Sequence, residues 1–219
     1  MSYKPILFST EMVRAILDGR KTQTRRVIAG TPDNTYRMDT DDGKEWFAYY
    51  GVGGEGWLAD LSIPVKPRYR TGDALWVRET WCNINRPGIA PDYYYLADAR
   101  NCEDYDPSEW KWRPSIFMPK EACRLFLRVT GVHAERVQDI TEEDAGSEGV
   151  SWTDEACYNN GWHPTMSDPD SGGQPILQEG FHALWDSINA KRGYGWDKNP
   201  WVWVYTFERI DMPKGWPNV

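Results

Sequence analysis

Short apolar–polar alternations, broken by Gly, Pro and Asp turns, run through most of the chain, with three stretches of helical spacing among them. Lys4 to Phe8 reads as a strand. Ser9 or Thr10 then caps a helix through Asp18, with Met12, Val13, Ile16 and Leu17 at helical spacing and Gly19 as the stop. The basic run Arg20-Lys21-Thr22-Gln23-Thr24-Arg25-Arg26 ends in Val27-Ile28 and predicts a strand leaving a tight turn. From Ala74 to Thr80, Leu75, Val77 and Glu79 share one strand face while Trp76, Arg78 and Thr80 share the other. Arg124 to Val132 is a further strand, with Leu125, Leu127 and Val129 facing one way.

Asp139-Ile140-Thr141-Glu142-Glu143-Asp144 opens the second helix. Thr141 and Asp144 resemble a capping box, and the acidic first turn suits the helix dipole. Gly149 ends it and leaves Glu148 in the last turn, where a carboxylate meets the negative end of the dipole and calls for a compensating cation, a lysine by first choice. Phe181, Leu184, Trp185 and Ile188 predict an amphipathic helix ending near Lys191-Arg192-Gly193. The last strand, Trp201 to Arg209, alternates Val202, Val204 and Thr206 with Trp203, Tyr205 and Phe207. Both faces are apolar, so it reads as central, with Trp201 and Trp203 packing one on each side.

Two segments interrupt this framework. One runs from about 30 to 68 and begins with a Gly-, Asp-, Thr- and Tyr-rich stretch from Gly30 to Gly56 that reads as an inserted hairpin or loop. The other runs from about 83 to 120, and a polar loop spans Asn159 to Pro175. Many short strands with few helices predict an α+β fold, a small twisted β-barrel decorated with short helices, in a single domain spanning 1–219.

The chain has 219 residues, enough aromatic side chains (13 Trp, 12 Tyr) to build a core, and a net charge of −8. That balance argues against coating a long nucleic-acid duplex, which needs clustered Lys and Arg. No apolar run suits a signal peptide or approaches the ~20 residues of a membrane span, which predicts a soluble, cytoplasmic protein with no membrane partner. Cys82, Cys102, Cys123 and Cys157 are scattered and read as free thiols. Cys157 and His163 lack two further ligands, and no metal or other cofactor is expected. His133, His163 and His182 show no triad-like setting.

Charge is unevenly spread. Through Ile28, six basic residues (Lys4, Arg14, Arg20, Lys21, Arg25, Arg26) stand against Glu11 and Asp18, which points to an anion- or nucleotide-binding pocket in an acidic body.

Gly19, Lys21, Thr24 and Arg26 resemble the signature of the ASCH family, whose barrel is related to the PUA fold of RNA-binding and RNA-modifying proteins. Thr71-Gly72-Asp73-Ala74-Leu75-Trp76-Val77-Arg78-Glu79-Thr80-Trp81, Trp112 to Pro119, Ile140 to Val150 and Gly193 to Trp201 are similar to its phage- and prophage-encoded branch. Small bacterial members hydrolyse N(4)-acetylcytidine with a lysine, a threonine and a glutamate. The resemblance carries these onto Lys21, Thr24 and, through the spacing of Thr141, Ala145 and Glu148, onto Glu148. It implies a nucleoside or short RNA as partner. Two alternatives stay open: an RNA-binding or RNA-processing module, and a phage accessory protein working through partner contacts on its insertions.

Deacylation of an exocyclic amide needs an activated nucleophile and an acid for the departing amine. The expected roles are Thr24 as nucleophile, Lys21 as base and Glu148 as acid or orienter, with Arg20, Arg25 and Arg26 available to lower the lysine's pKa. Residues three apart on a strand face opposite ways, so Lys21 must sit in the turn after Gly19, which positive φ at that glycine permits. Arg26 shares the strand face of Thr24 and is a candidate to hold a carbonyl or phosphate oxygen; Arg20, Trp76 and Tyr69 complete the candidate substrate-binding set, the last two by stacking on a pyrimidine.

Overall fold

The computed structural model describes residues 3–32, 34–40, 45–52, 59–84, 92–99, 110–150 and 177–217. Cys102, Cys157, His163 and the Asn159 to Pro175 loop lie outside the described residues. The fold is mixed α+β with strands predominating, as expected. The strands are β1 (Tyr3–Leu7), β2 (Gln23–Val27), β3 (Thr35–Thr40), β4 (Trp46–Val52), β5 (Ala59–Val65), β6 (Ala74–Arg78), β7 (Trp81–Ile84), β8 (Asp92–Tyr95), β9 (Phe126–Arg136) and β10 (Trp201–Ile210). The α-helices are α1 (Thr10–Leu17), α2 (Glu142–Ser147) and α3 (Leu177–Asn189). Among the described residues no helix is long and apolar enough to cross a membrane.

A five-stranded sheet has the order β1-β6-β9-β10-β2, with β1 parallel to β6 and the pairs β6–β9 and β10–β2 antiparallel. Its fourth strand, β10, is flanked on both sides, the central position that its two apolar faces predict.

The chain divides into two compact units. The first comprises Met1–Thr22, Thr71–Thr130 and Phe207–Val219. Its core gathers Trp76, Trp81, Met118, Ala122, Cys123 and Phe126, with Trp216 packed against it. Leu75 and Val77 of β6 are buried, and so is Glu79 just beyond it, which the alternation puts on the same face. Its carboxylate is held by a two-pronged contact from Arg124 at 2.9 and 3.0 Å. Burial nonetheless raises the Glu79 pKa.

The second unit comprises Gln23–Arg70 and Gly131–Thr206. Its core packs Phe181 and Trp185 of α3, Ala145 of α2 and Ile140 against Val202 and Val204 of β10. The i, i+3, i+4 spacing read from the sequence thus buries one stripe of α3, and a fully buried side chain of Phe size is worth about 1.5–3 kcal/mol. Trp201 and Trp203, two residues apart, share the opposite face of β10, correcting the expectation of one on each side; a strand's period of two allows nothing else. Trp203 meets Trp46 edge-on with ring centroids 5.2 Å apart.

β3 and β4 pair antiparallel, as the hairpin reading of Gly30 to Gly56 expects, and β5 adds a third strand. β3, β4 and β5 form a three-stranded antiparallel sheet in sequence order, in which the aromatic-rich β4 is the middle strand.

Candidate functional site

In the first unit, α1 begins at N-cap Ser9, whose hydroxyl accepts from the Met12 N–H at 3.3 Å, and ends in a two-bond glycine stop. The Gly19 N–H donates to Ile16 O and the Arg20 N–H to Ala15 O, with Gly19 at φ +76°. The chain then turns, and Lys21 precedes the strand, as the sequence requires. Its N–H also donates to Ala15 O at 3.0 Å, and the residue is only 2% exposed, with its ammonium 5.7 Å from the centroid of the Phe8 ring. Arg20 pairs with Asp18 at 3.2 Å. Trp76 is buried in that unit's core beside Trp216 and carries the Arg78 guanidinium 5.3 Å from its ring centroid.

In the second unit, β2 pairs with β10 so that Thr24 lies opposite Tyr205, Arg25 opposite Val204 and Arg26 opposite Trp203. Directly opposed residues in an antiparallel pair share a sheet face. Thr24, Arg26, Trp203 and Tyr205 therefore occupy one face, and Gln23, Arg25, Val202 and Val204 the other.

On the second of these faces Arg25 is a charge hub. Its side chain is fully buried and meets Glu135 at 2.7 Å, Glu148 at 3.1 Å and Asp144 at 3.2 Å. Gln23 reaches the same Asp144 at 2.9 Å. The Nη2–Asp144 approach is an ionic contact, because the geometry at that nitrogen fails the requirements of a hydrogen bond. Local sequence explains how α2 delivers two of the three carboxylates. Thr141 caps it by accepting from the Asp144 N–H at 3.1 Å, and Gly149 at φ +88° ends it, leaving buried Glu148 as the C-cap residue. The compensation that this carboxylate calls for includes the Arg25 guanidinium. Burial works against the charge of Glu135, but hydrogen bonds from His133 and Arg25 hold its pKa below the ordinary value.

On the other face a cavity of about 490 Å³ opens. Arg26, Trp203 and Tyr205 line it from the β2–β10 pair. Ile63, Pro64 and Val65 of β5 supply another wall, followed by Lys66, Arg68 and Tyr69. Among the described residues the lining carries three cations and no carboxylate. Tyr69 and Tyr205 meet edge-on at 5.1 Å, and the Tyr205 hydroxyl accepts the backbone N–H of Arg68 at 3.1 Å. Burial pushes the Tyr205 phenol up to about 12, so it stays protonated at neutral pH. Burial lowers the Arg26 pKa, opposed first by the nearby Glu148 carboxylate, while Arg68 adds to the lowering.

Of the residues singled out from the sequence, Arg26 and Tyr69 thus line one cavity, Thr24 shares its sheet face, and Glu148 acts on Arg26 electrostatically. Lys21, Arg20 and Trp76 belong to the first unit. Sequence reasoning missed Lys66, Arg68, Trp203 and Tyr205 as cavity walls. The one signal for Trp203 and Tyr205 was their period-two match with Arg26 and Thr24; Lys66 and Arg68 had none. Among the described residues no group of three or more His, Cys, Asp and Glu is placed to hold a metal ion.

Comparison with protein-family models, with curated proteins and with solved structures gives no match, so any activity has to be argued from the site itself.

Proposed function

We propose that the chain is an ASCH-like, PUA-related amidohydrolase that removes an acyl group from the exocyclic amine of a modified cytosine nucleoside such as N(4)-acetylcytidine. The observation that carries this reading is the cavity on the Thr24–Arg26 face of the sheet. It has aromatic walls from Tyr69, Trp203 and Tyr205, cationic groups from Arg26, Lys66 and Arg68, and a size within the roughly 300–1,000 Å³ of small-molecule sites.

In this reading the Thr24 hydroxyl attacks the acyl carbonyl while a base takes its proton. The tetrahedral intermediate collapses by breaking the C–N bond, and the ring amine leaves with a proton. Water then hydrolyses the threonine ester to release a carboxylate. The resemblance assigns the base to Lys21 and the acid or orienting role to Glu148, and both side chains are buried. Arg26 is suited to hold the developing oxyanion, because a guanidinium presents a planar fork of donors to an oxygen.

The test is purified protein with N(4)-acetylcytidine, following cytidine by chromatography. Turnover abolished by Thr24→Ala supports the reading. Full activity of that variant would replace the threonine by an activated water, and no turnover with any acylated cytosine nucleoside would refute the hydrolase.

A second reading, an RNA-binding module, draws on the same three cations of the lining. It requires affinity for structured RNA that falls steeply with salt.

A further inference from the structure

The first unit carries an apolar knob that its own core leaves outside. Ile116 and Phe117, neighbours in the single 3₁₀ turn Ser115–Phe117, are 57% and 69% exposed, while Met118, the next residue, is buried. The turn is held from both sides. Arg113 exchanges two backbone hydrogen bonds with Trp81 of β7, its N–H donating at 2.8 Å and its carbonyl accepting at 3.3 Å. The Met118 sulfur accepts the Glu79 N–H at 3.2 Å, and Arg78 donates to the Ile116 carbonyl. Pro114 and Pro119 fix φ on either side. Two large apolar side chains shown to water on so fixed a frame lose little entropy when a partner covers them, which is the setting of a binding hot spot.

Three cations flank the knob, each seated on a tryptophan of the same unit. Arg78 lies 5.3 Å from the Trp76 ring centroid, Arg113 5.2 Å from that of Trp81 and Lys120 5.4 Å from that of Trp216. Such contacts steady a cationic side chain without neutralising it. From Trp110 to Ala122 the sequence sets Lys111, Arg113 and Lys120 against Glu121, a local excess of positive charge in a chain of net charge −8. The patch therefore complements an acidic surface.

We propose that Ile116, Phe117 and these cations form a docking surface for an acidic segment of another protein, one that brings a large apolar side chain of its own to the knob. A base can stack on Phe117 but not on Ile116, and a chain of net charge −8 repels a long polyanion or an anionic bilayer. A short acidic segment meets only the local cations, because charges beyond about 8–10 Å are largely screened at physiological salt. The proposal uses no residue of the cavity and stands independently of the hydrolase reading.

Selection of a displayed random-peptide library on the immobilised full chain, followed by fluorescence anisotropy with the enriched peptides, tests it. The expected result is peptides with an acidic excess and at least one large apolar residue. Their affinity falls tenfold or more in Ile116→Ser/Phe117→Ser, falls threefold or more in Arg113→Gln/Lys120→Gln, and weakens as salt rises. The first variant changes only exposed side chains and keeps the Arg78 bond to the backbone of residue 116. The second leaves the knob in place and judges the patch by itself should the first fail to fold. No enrichment, peptides without an acidic excess, or peptides that bind wild type and both variants alike overturn the proposal. Binding of oligo(U) RNA, or of vesicles of phosphatidylcholine with phosphatidylserine, that the same substitutions abolish overturns it in favour of a nucleic-acid or lipid surface. Concentration-dependent dimers in sedimentation that the first variant loses overturn it in favour of a second copy of the chain.

Discussion

Replacing Arg25 by Met tests whether one buried guanidinium holds α2 to the sheet. Its side chain is fully buried, and two of its three acidic partners are well shielded, Glu148 at 3% and Glu135 at 16% side-chain exposure. Asp144 is a quarter exposed and receives no well-aligned hydrogen bond from Arg25, so its share is that of a surface pair, about 0–1 kcal/mol. The larger cost comes from taking the guanidinium away from two shielded carboxylates. Breaking a buried pair by deleting one partner costs about 3–5 kcal/mol. For a chain of this size that is roughly 6–20 °C in Tm. Urea denaturation of wild type and Arg25→Met measures it, and Arg25→Lys, which keeps the charge but loses the fork, should fall between them. The pH dependence supplies an internal check. The Glu135 pKa is held below its ordinary 4.5, so its contribution is present above that value and is lost as pH falls through the depressed pKa. Arg25→Met should flatten this acid limb. A stability loss under about 1 kcal/mol, with the acid limb unchanged, would refute the hub.

Three other outcomes follow from the same structure. In Arg124→Met, Glu79 keeps its burial but loses its two-pronged partner, and its already raised pKa rises further. The folded state then holds a proton that the unfolded state has released, so stability should fall as pH climbs from about 4.5; adding Glu79→Gln should remove that slope in urea titrations at pH 5 and pH 8. Gly149→Ala forces a side chain into φ +88° and should cost about 1–2 kcal/mol by thermal denaturation. If the hydrolase reading holds, Tyr69→Phe should retain most of the substrate affinity, while Tyr69→Ala should raise KM by about 1–3 kcal/mol of lost stacking, measured by steady-state kinetics.

What could be read from the sequence is what short-range chemistry decides. Ser9, Gly19, Thr141 and Gly149 mark helix ends through bonds spanning only a few residues, so α1 and α2 lie within a few residues of where their caps put them. The i, i+3, i+4 spacing at Phe181, Leu184 and Trp185 does the same for α3. The segment from 30 to 68 was harder, because its strands pair across turns and its role as a cavity wall depends on contacts with Arg26 and Trp203 that no local pattern encodes. Glu148 shows both sides. Its position at a helix C-terminus announced the need for a cation, and local spacing could not say that a buried arginine from β2, 123 residues earlier in the chain, would be among those that answer it.

Strand β2 is where these observations meet. Its two adjacent arginines do different work because neighbouring strand residues point to opposite faces. Arg25 goes to the face of Val202 and Val204, where acidic side chains from α2 and β9 surround it, and its charge is spent on holding the fold together. Arg26 goes to the face of Trp203 and Tyr205, where the described lining of the cavity is aromatic and cationic. A one-residue slip of β2 against β10 would exchange them, bringing Thr24 to the core and Arg25 to the cavity. The apolar requirement of Val202 and Val204, which must face Phe181 and Trp185, fixes the register from the β10 side. The same packing that stabilises the second unit thereby decides which arginine and which hydroxyl share the sheet face of the cavity, and this is why effects at Arg25 and at Arg26 can be measured on one strand and yet separated.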